Sequence, residues 1–144
     1  MITEADVVAS GYKPADVQHA RGDAINEAVV ALVRDWIRTY CTTANKFVQS
    51  GKLGSAGSSY GWKHRAEGTG GFATSRRFVE APGVGQYVSN GDFIVAALRE
   101  GFSAKSLDSQ SPNLVMNMRL LTKQEWTDRH NPSAPPRNKC RPRR

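Results

Sequence analysis

A chain of 144 residues suits one domain with its own apolar core and leaves little room for a second. Hydrophobic residues make up 39% of it, a little low because a glycine-rich middle and a polar tail dilute them, and no apolar run approaches the roughly 18 residues a membrane span needs. The net charge of +7 invites a nucleic-acid partner, but residues 131–144 hold Arg137, Lys139, Arg141, Arg143 and Arg144 and no acid, which leaves 15 basic against 13 acidic residues elsewhere and excludes a strongly basic body.

The opening Met1-Ile2-Thr3-Glu4-Ala5-Asp6 is acidic and lacks the charged-then-apolar pattern of a signal peptide, so a cytoplasmic location is expected. Two cysteines agree with it: Cys41 falls inside a predicted helix and Cys140 in the tail. Residues 1–22 read as two short helical turns broken at Gly11 and Pro14. From Asp23, the residues Ile25, Val29, Leu32, Val33, Trp36, Tyr40, Ala44 and Phe47 recur at spacings of three and four. Asp23 and Glu27 favour the helix dipole, and Gly51 follows as a terminator. The pattern predicts a helix over 23–49 as the spine of the fold.

Residues 51–57 read as a flexible connection. A short helix is predicted from Ser58 or Ser59 through Glu67, ended by Gly68, Gly70 and Gly71, with Arg76-Arg77-Phe78-Val79-Glu80 continuing helically up to Pro82. Ser89-Asn90-Gly91-Asp92 matches a capping box ahead of Phe93-Ile94-Val95-Ala96-Ala97-Leu98, with Gly101 closing that helix. Phe93, Ala96, Ala97 and Leu98 are expected to face the core, against the 23–49 helix. Leu114, Met116, Met118 and Leu120 alternate as one strand or hairpin, and Thr122-Lys123-Gln124-Glu125 opens a last short helix through Trp126. Pro132, Pro135, Pro136 and Pro142 among basic residues predict a disordered tail after 131. The fold class expected is therefore mainly α: a single helical domain over 1–130 with one strand or hairpin near 114–120.

Functional side chains concentrate at Tyr60–Glu67. On a helix, Lys63 and Glu67 are four apart and His64 and Glu67 three apart, so they share a face with Tyr60. In a small nuclease-type enzyme His64 would act as acid or base, with Glu67 orienting it and Lys63 holding an anion. A solvated Lys–Glu pair beside a locally bonded histidine accounts for the same spacing. His19, His64 and His130 are widely separated and the cysteines lack paired spacing, so neither metal nor cofactor is expected. Gly68-Thr69-Gly70-Gly71 lacks the P-loop spacing and reads as a hinge. The 58–67 and 90–100 helices are too far apart for a helix-turn-helix. The five tail cations, with Lys63, His64, Arg65, Arg76 and Arg77, are the candidate nucleic-acid or partner contacts. Tyr60 and Trp62 would stack bases if exposed and join the core if buried.

Ser59-Tyr60-Gly61-Trp62-Lys63-His64-Arg65-Ala66-Glu67, followed by Tyr87-Val88-Ser89-Asn90-Gly91-Asp92-Phe93-Ile94-Val95-Ala96-Ala97, resembles a pattern in small, largely uncharacterised proteins of phages and integrative elements. The likeness covers about 45 residues, and Trp62 stands where a smaller aliphatic residue is expected. It implies a mobile-element origin and carries over no functional residues. Such proteins often act without chemistry, by binding nucleic acid or by blocking a host defence complex as anti-CRISPR-type inhibitors do. The leading expectation is thus a non-enzymatic accessory protein contacting nucleic acid through its tail and the 63–77 surface. A protein-binding inhibitor of a host complex is the alternative, and the Lys63/His64/Glu67 enzyme the third reading.

Overall fold

The computed structural model describes residues 1–15, 24–47, 54–69, 77–107 and 111–131. His19, Gly51, Arg76, the five tail cations, Cys140 and the expected disorder beyond Asn131 lie outside the described residues.

The first helix, α1 (Glu27–Tyr40), starts at Asn26, whose side-chain oxygen accepts from the Ala28 and Val29 amides. That cap satisfies donors that a helix N-terminus leaves open. Val29, Val30, Val33, Trp36 and Ile37 point inward, while Leu32 is exposed. The buried stripe is therefore rotated slightly from the one the spacing predicts.

The predicted 23–49 helix is both shorter and followed by a strand. At Tyr40 the chain leaves the helix, and β3 (Cys41–Thr43) pairs antiparallel with β6 (Met118–Leu120), Cys41 opposite Leu120 and Thr43 opposite Met118. The β-branched Thr42 and Thr43 suit a pleated surface, and the Leu121 amide takes the Tyr40 carbonyl, which a continuing helix would have used. The three-and-four period running on to Ala44 and Phe47 is coincidental.

The helix buried on most sides is α3 (Asn90–Arg99), where Asn90 through Ala97 are all buried. Ser89 caps it by accepting from the Asp92 amide, as the sequence predicts. Asp92 does not return the bond within its own helix. Its carboxylate instead accepts from the Asn26 amide at 2.9 Å and so pins the start of α1 to the start of α3. The two helices pack together as expected. Trp36 and Phe93 meet Trp62 from α2 (Ser59–Glu67), with the Trp62 and Phe93 rings stacked at 6.0 Å and Trp36 edge-on to both. These three rings centre the core.

Instead of helical turns alone, the N-terminal segment adds a tight hairpin, β1 (Val7–Val8) with β2 (Gly11–Tyr12). It lies directly on the first turn of α3, where the Gly91 amide donates to the Ala9 carbonyl at 2.9 Å. A Cβ at Gly91 would collide with the Val8 carbonyl, so only glycine permits the approach.

The 114–120 alternation is broken at Asn117 into two strands that serve different partners. β5 (Leu114–Met116) pairs with β4 (Ala104–Ser106), while β6 pairs with β3. The Asn117 backbone and side chain bind Ser103 and Ala44 and turn the chain from one sheet to the other. Phe78 and Val79 are extended, not helical: Phe78 bridges Thr122, and the Val79 amide donates to the Leu121 carbonyl. The last helix, α4 (Lys123–His130), opens with the predicted Thr122/Glu125 capping box. Among the described residues the fold is four α-helices with three two-stranded sheets, an α/β mixture and not the mainly α domain expected from the periodicities.

Candidate functional site

The α2 helix ends at Gly68, whose left-handed φ of +84° is the usual glycine termination, and Gly83 crosses closely over it. The Val84 amide donates to the Ala66 carbonyl at 2.7 Å, so the 83–88 segment runs back along the helix. This crossing decides the environment of Lys63 and Glu67. A surface pair by spacing, they are 6% and 9% exposed because Tyr87 and Val88 close over them.

Glu67 is the hub. Its carboxylate accepts from the Val88 amide at 2.8 Å, from the Thr69 hydroxyl at 3.1 Å and from the Lys63 ammonium at 3.3 and 3.4 Å. His64 Nδ1 lies 3.1 Å from Glu67 Oε1 and 3.3 Å from the Thr69 hydroxyl. Burial pushes the Glu67 carboxyl up, but the Val88 amide, the Lys63 ammonium and the Thr69 hydroxyl together hold it below the usual carboxylate range.

In front of this hub two tyrosines frame the Lys63 ammonium. Tyr60 is 52% and Tyr87 70% exposed, with ring centroids 5.5 and 4.6 Å from Nζ. The His64 ring stands edge-on to Tyr60 at 4.4 Å. Tyr60, Lys63 and Tyr87 open onto a cleft of about 550 Å³ whose wall also includes Asn90, Pro112 and Asn113. Asn90 braces that wall, its Nδ2 donating to the Ser10 carbonyl at 3.2 Å and to Asn113 Oδ1 at 2.9 Å.

The structure distributes the sequence candidates unevenly. Tyr60, Lys63, His64 and Glu67 converge as the helical spacing implies. Arg65 points the other way, 8% exposed, its guanidinium over the Trp62 ring at 5.6 Å; burial pulls its pKa down, and Trp62 is core. Arg77 is exposed at a separate depression of about 270 Å³, shared with Lys46, Phe78 and Arg119. Lys63, Arg65 and Arg77 therefore form no continuous basic surface. Arg76 and the tail cations are outside the described residues.

Sequence reasoning missed Tyr87, Asn90 and Asn113 as neighbours of Lys63. Tyr87 and Asn90 stand in the 87–97 stretch that the sequence singles out, but only the fold brings them to α2. Burial also raises the Cys41 thiol well above its ordinary pKa, which leaves it a packing residue. No group of three His, Cys, Asp or Glu side chains suited to a metal occurs among the described residues, and none of their helices is long and apolar enough to cross a membrane. Comparison with known protein families, with curated proteins and with solved structures returns no match.

Proposed function

We propose that this chain is a non-enzymatic nucleic-acid-contacting protein of a mobile element, working in the cytoplasm. The observation that carries the reading is the pair of exposed tyrosine rings around the Lys63 ammonium at the mouth of an open cleft. Aromatic faces beside a cation are what sequence-tolerant nucleic-acid binding requires: the rings stack bases and the cation meets phosphate. Arg137, Lys139, Arg141, Arg143 and Arg144 add sequence-independent attraction by releasing counterions, and Arg77 adds an exposed cation on the body.

Titrating labelled RNA and DNA with the full-length chain at two salt concentrations tests this. Binding that weakens steeply with salt is expected, by a slope of about 0.7 per cation engaged on a single strand. Replacing the five tail cations by Gln should flatten the slope. Salt-independent binding, or none to any oligonucleotide, sinks the reading and turns attention to a host protein target.

The contact of His64 Nδ1 with Glu67 at 3.1 Å favours one second reading, an enzyme in which Glu67 orients His64 as acid or base. Loss of nuclease turnover in His64→Ala, with folding intact, is the result that would support it.

A further inference from the structure

The cleft beside Lys63 carries the polar features of a built site. Lys63 and Asn90 line it, and each is more than nine-tenths buried. The ammonium has three donors, and among the described residues its charged partner is Glu67, met at the long separations of 3.3 and 3.4 Å. An approaching anion therefore finds a cation held in place by two ring faces and a carboxylate behind it. Ring faces and a cation around about 550 Å³ match a planar heterocycle carrying an anionic group, and the volume is that of a small-molecule site.

We propose that this cleft holds one unstacked nucleotide unit, its base against Tyr87 and Tyr60 and its phosphate on the Lys63 ammonium, so that the chain selects single-stranded over duplex nucleic acid. The choice of a strand as the source of that unit rests on the nucleic-acid reading above; a free nucleotide has the same chemistry. A duplex keeps its bases stacked and offers a cleft of this kind no ring face, whereas a single strand can splay one base out.

The test uses the full-length chain and a 12-nucleotide strand bearing one central 2-aminopurine, alone and annealed to its complement, with AMP as a third probe. Single-strand affinity should exceed duplex affinity about ten-fold, and the 2-aminopurine emission should change on binding only in the single strand. Tyr87 is largely exposed, so Tyr87→Ala should fold normally and lose about ten-fold or more in single-strand affinity, as loss of one stacked base implies. Tyr87→Phe, which keeps the ring, should retain binding. Equal binding of both strand forms, unaffected by Tyr87→Ala, overturns the cleft proposal and leaves nucleic-acid contact standing. Binding of AMP that Tyr87→Ala abolishes, without oligonucleotide binding, supports the cleft and overturns the strand as its source. Failure with all three probes overturns both.

Discussion

The Lys63–Glu67 pair can be tested by removing one charge at a time and then both. Glu67→Gln keeps an acceptor for the Val88 amide, with its NH2 donating to the Thr69 hydroxyl, but leaves the Lys63 ammonium, 6% exposed, without a counter-charge. Breaking a buried ion pair from one side costs about 3–5 kcal/mol in general. The Tyr60 and Tyr87 rings stay against the ammonium in parent and variant alike and so soften the penalty without adding a new contact, and a loss of about 3 kcal/mol, the low end of that range, is expected. Lys63→Met removes the cation while Glu67 keeps Val88, Thr69 and His64, and should cost about 1–2 kcal/mol. In the double variant no buried charge is left unpaired and the Gln still serves Val88 and Thr69, so stability should return to within about 1 kcal/mol of the parent. Urea unfolding at pH 7, comparing midpoints at constant slope, measures all four proteins. Simple additivity of the two single losses, within about 0.5 kcal/mol, would refute the argument that each charge is buried for the other. The pH dependence has a definite sign. Because the folded Glu67 carboxyl lies below the usual range, its stabilisation is complete above the unfolded value of about 4.3 and is lost as pH falls through the lower folded value. The gap between parent and Glu67→Gln should therefore stay constant at neutral pH and close only below about pH 4.

Trp62→Ala should destabilise by about 3–5 kcal/mol in urea unfolding. Trp62→Phe, which keeps a ring against Phe93 and removes an indole N–H that is buried without a partner among the described residues, should cost clearly less; equal losses would disprove the stacking account. Gly91→Ala should cost about 1–3 kcal/mol or more by forcing the β1–β2 hairpin off α3, seen as a lower unfolding midpoint and faster exchange of the amide at position 91, which in the parent donates to the Ala9 carbonyl. The Glu125 carboxyl, held down to about 2 by hydrogen bonds from Arg119, should titrate there by NMR. Its contribution is present above about pH 4.3 and fades as pH falls toward 2. Arg119→Gln should return the titration toward the ordinary value, and an unshifted midpoint would dismiss the bidentate pair.

Local chemistry was legible without the fold. Caps at Ser89 and Thr122 and the shared face of Tyr60, Lys63, His64 and Glu67 depend on residues three and four apart, and the structure places them as the spacing predicts. The same short-range logic failed where a distant segment competes for the backbone. Residues 41–43 lie inside an apolar helical period that runs on from Tyr40 to Ala44 and Phe47 but surrender their backbone to 118–120, and Phe78 and Val79 are drawn out by Leu121 and Thr122. Periodicity reports which side chains are apolar, not which carbonyls a remote strand will claim, and that is why a mainly α reading gave way to an α/β fold.

By itself, the sequence determined the starts of α2, α3 and α4 and the alignment of four functional side chains on α2, since both are decided within one or two turns, whereas α1 begins at Glu27 and not at Asp23. Only the tertiary structure decided that Lys63 and Glu67 are buried, that Arg65 turns into the core and that Tyr87 and Asn90 complete the cleft. Those outcomes follow from the 83–88 segment crossing at Gly68 and from the β1–β2 hairpin pressing on Gly91. They are contacts between residues far apart in the chain, whose exchange of solvent for protein no local pattern encodes.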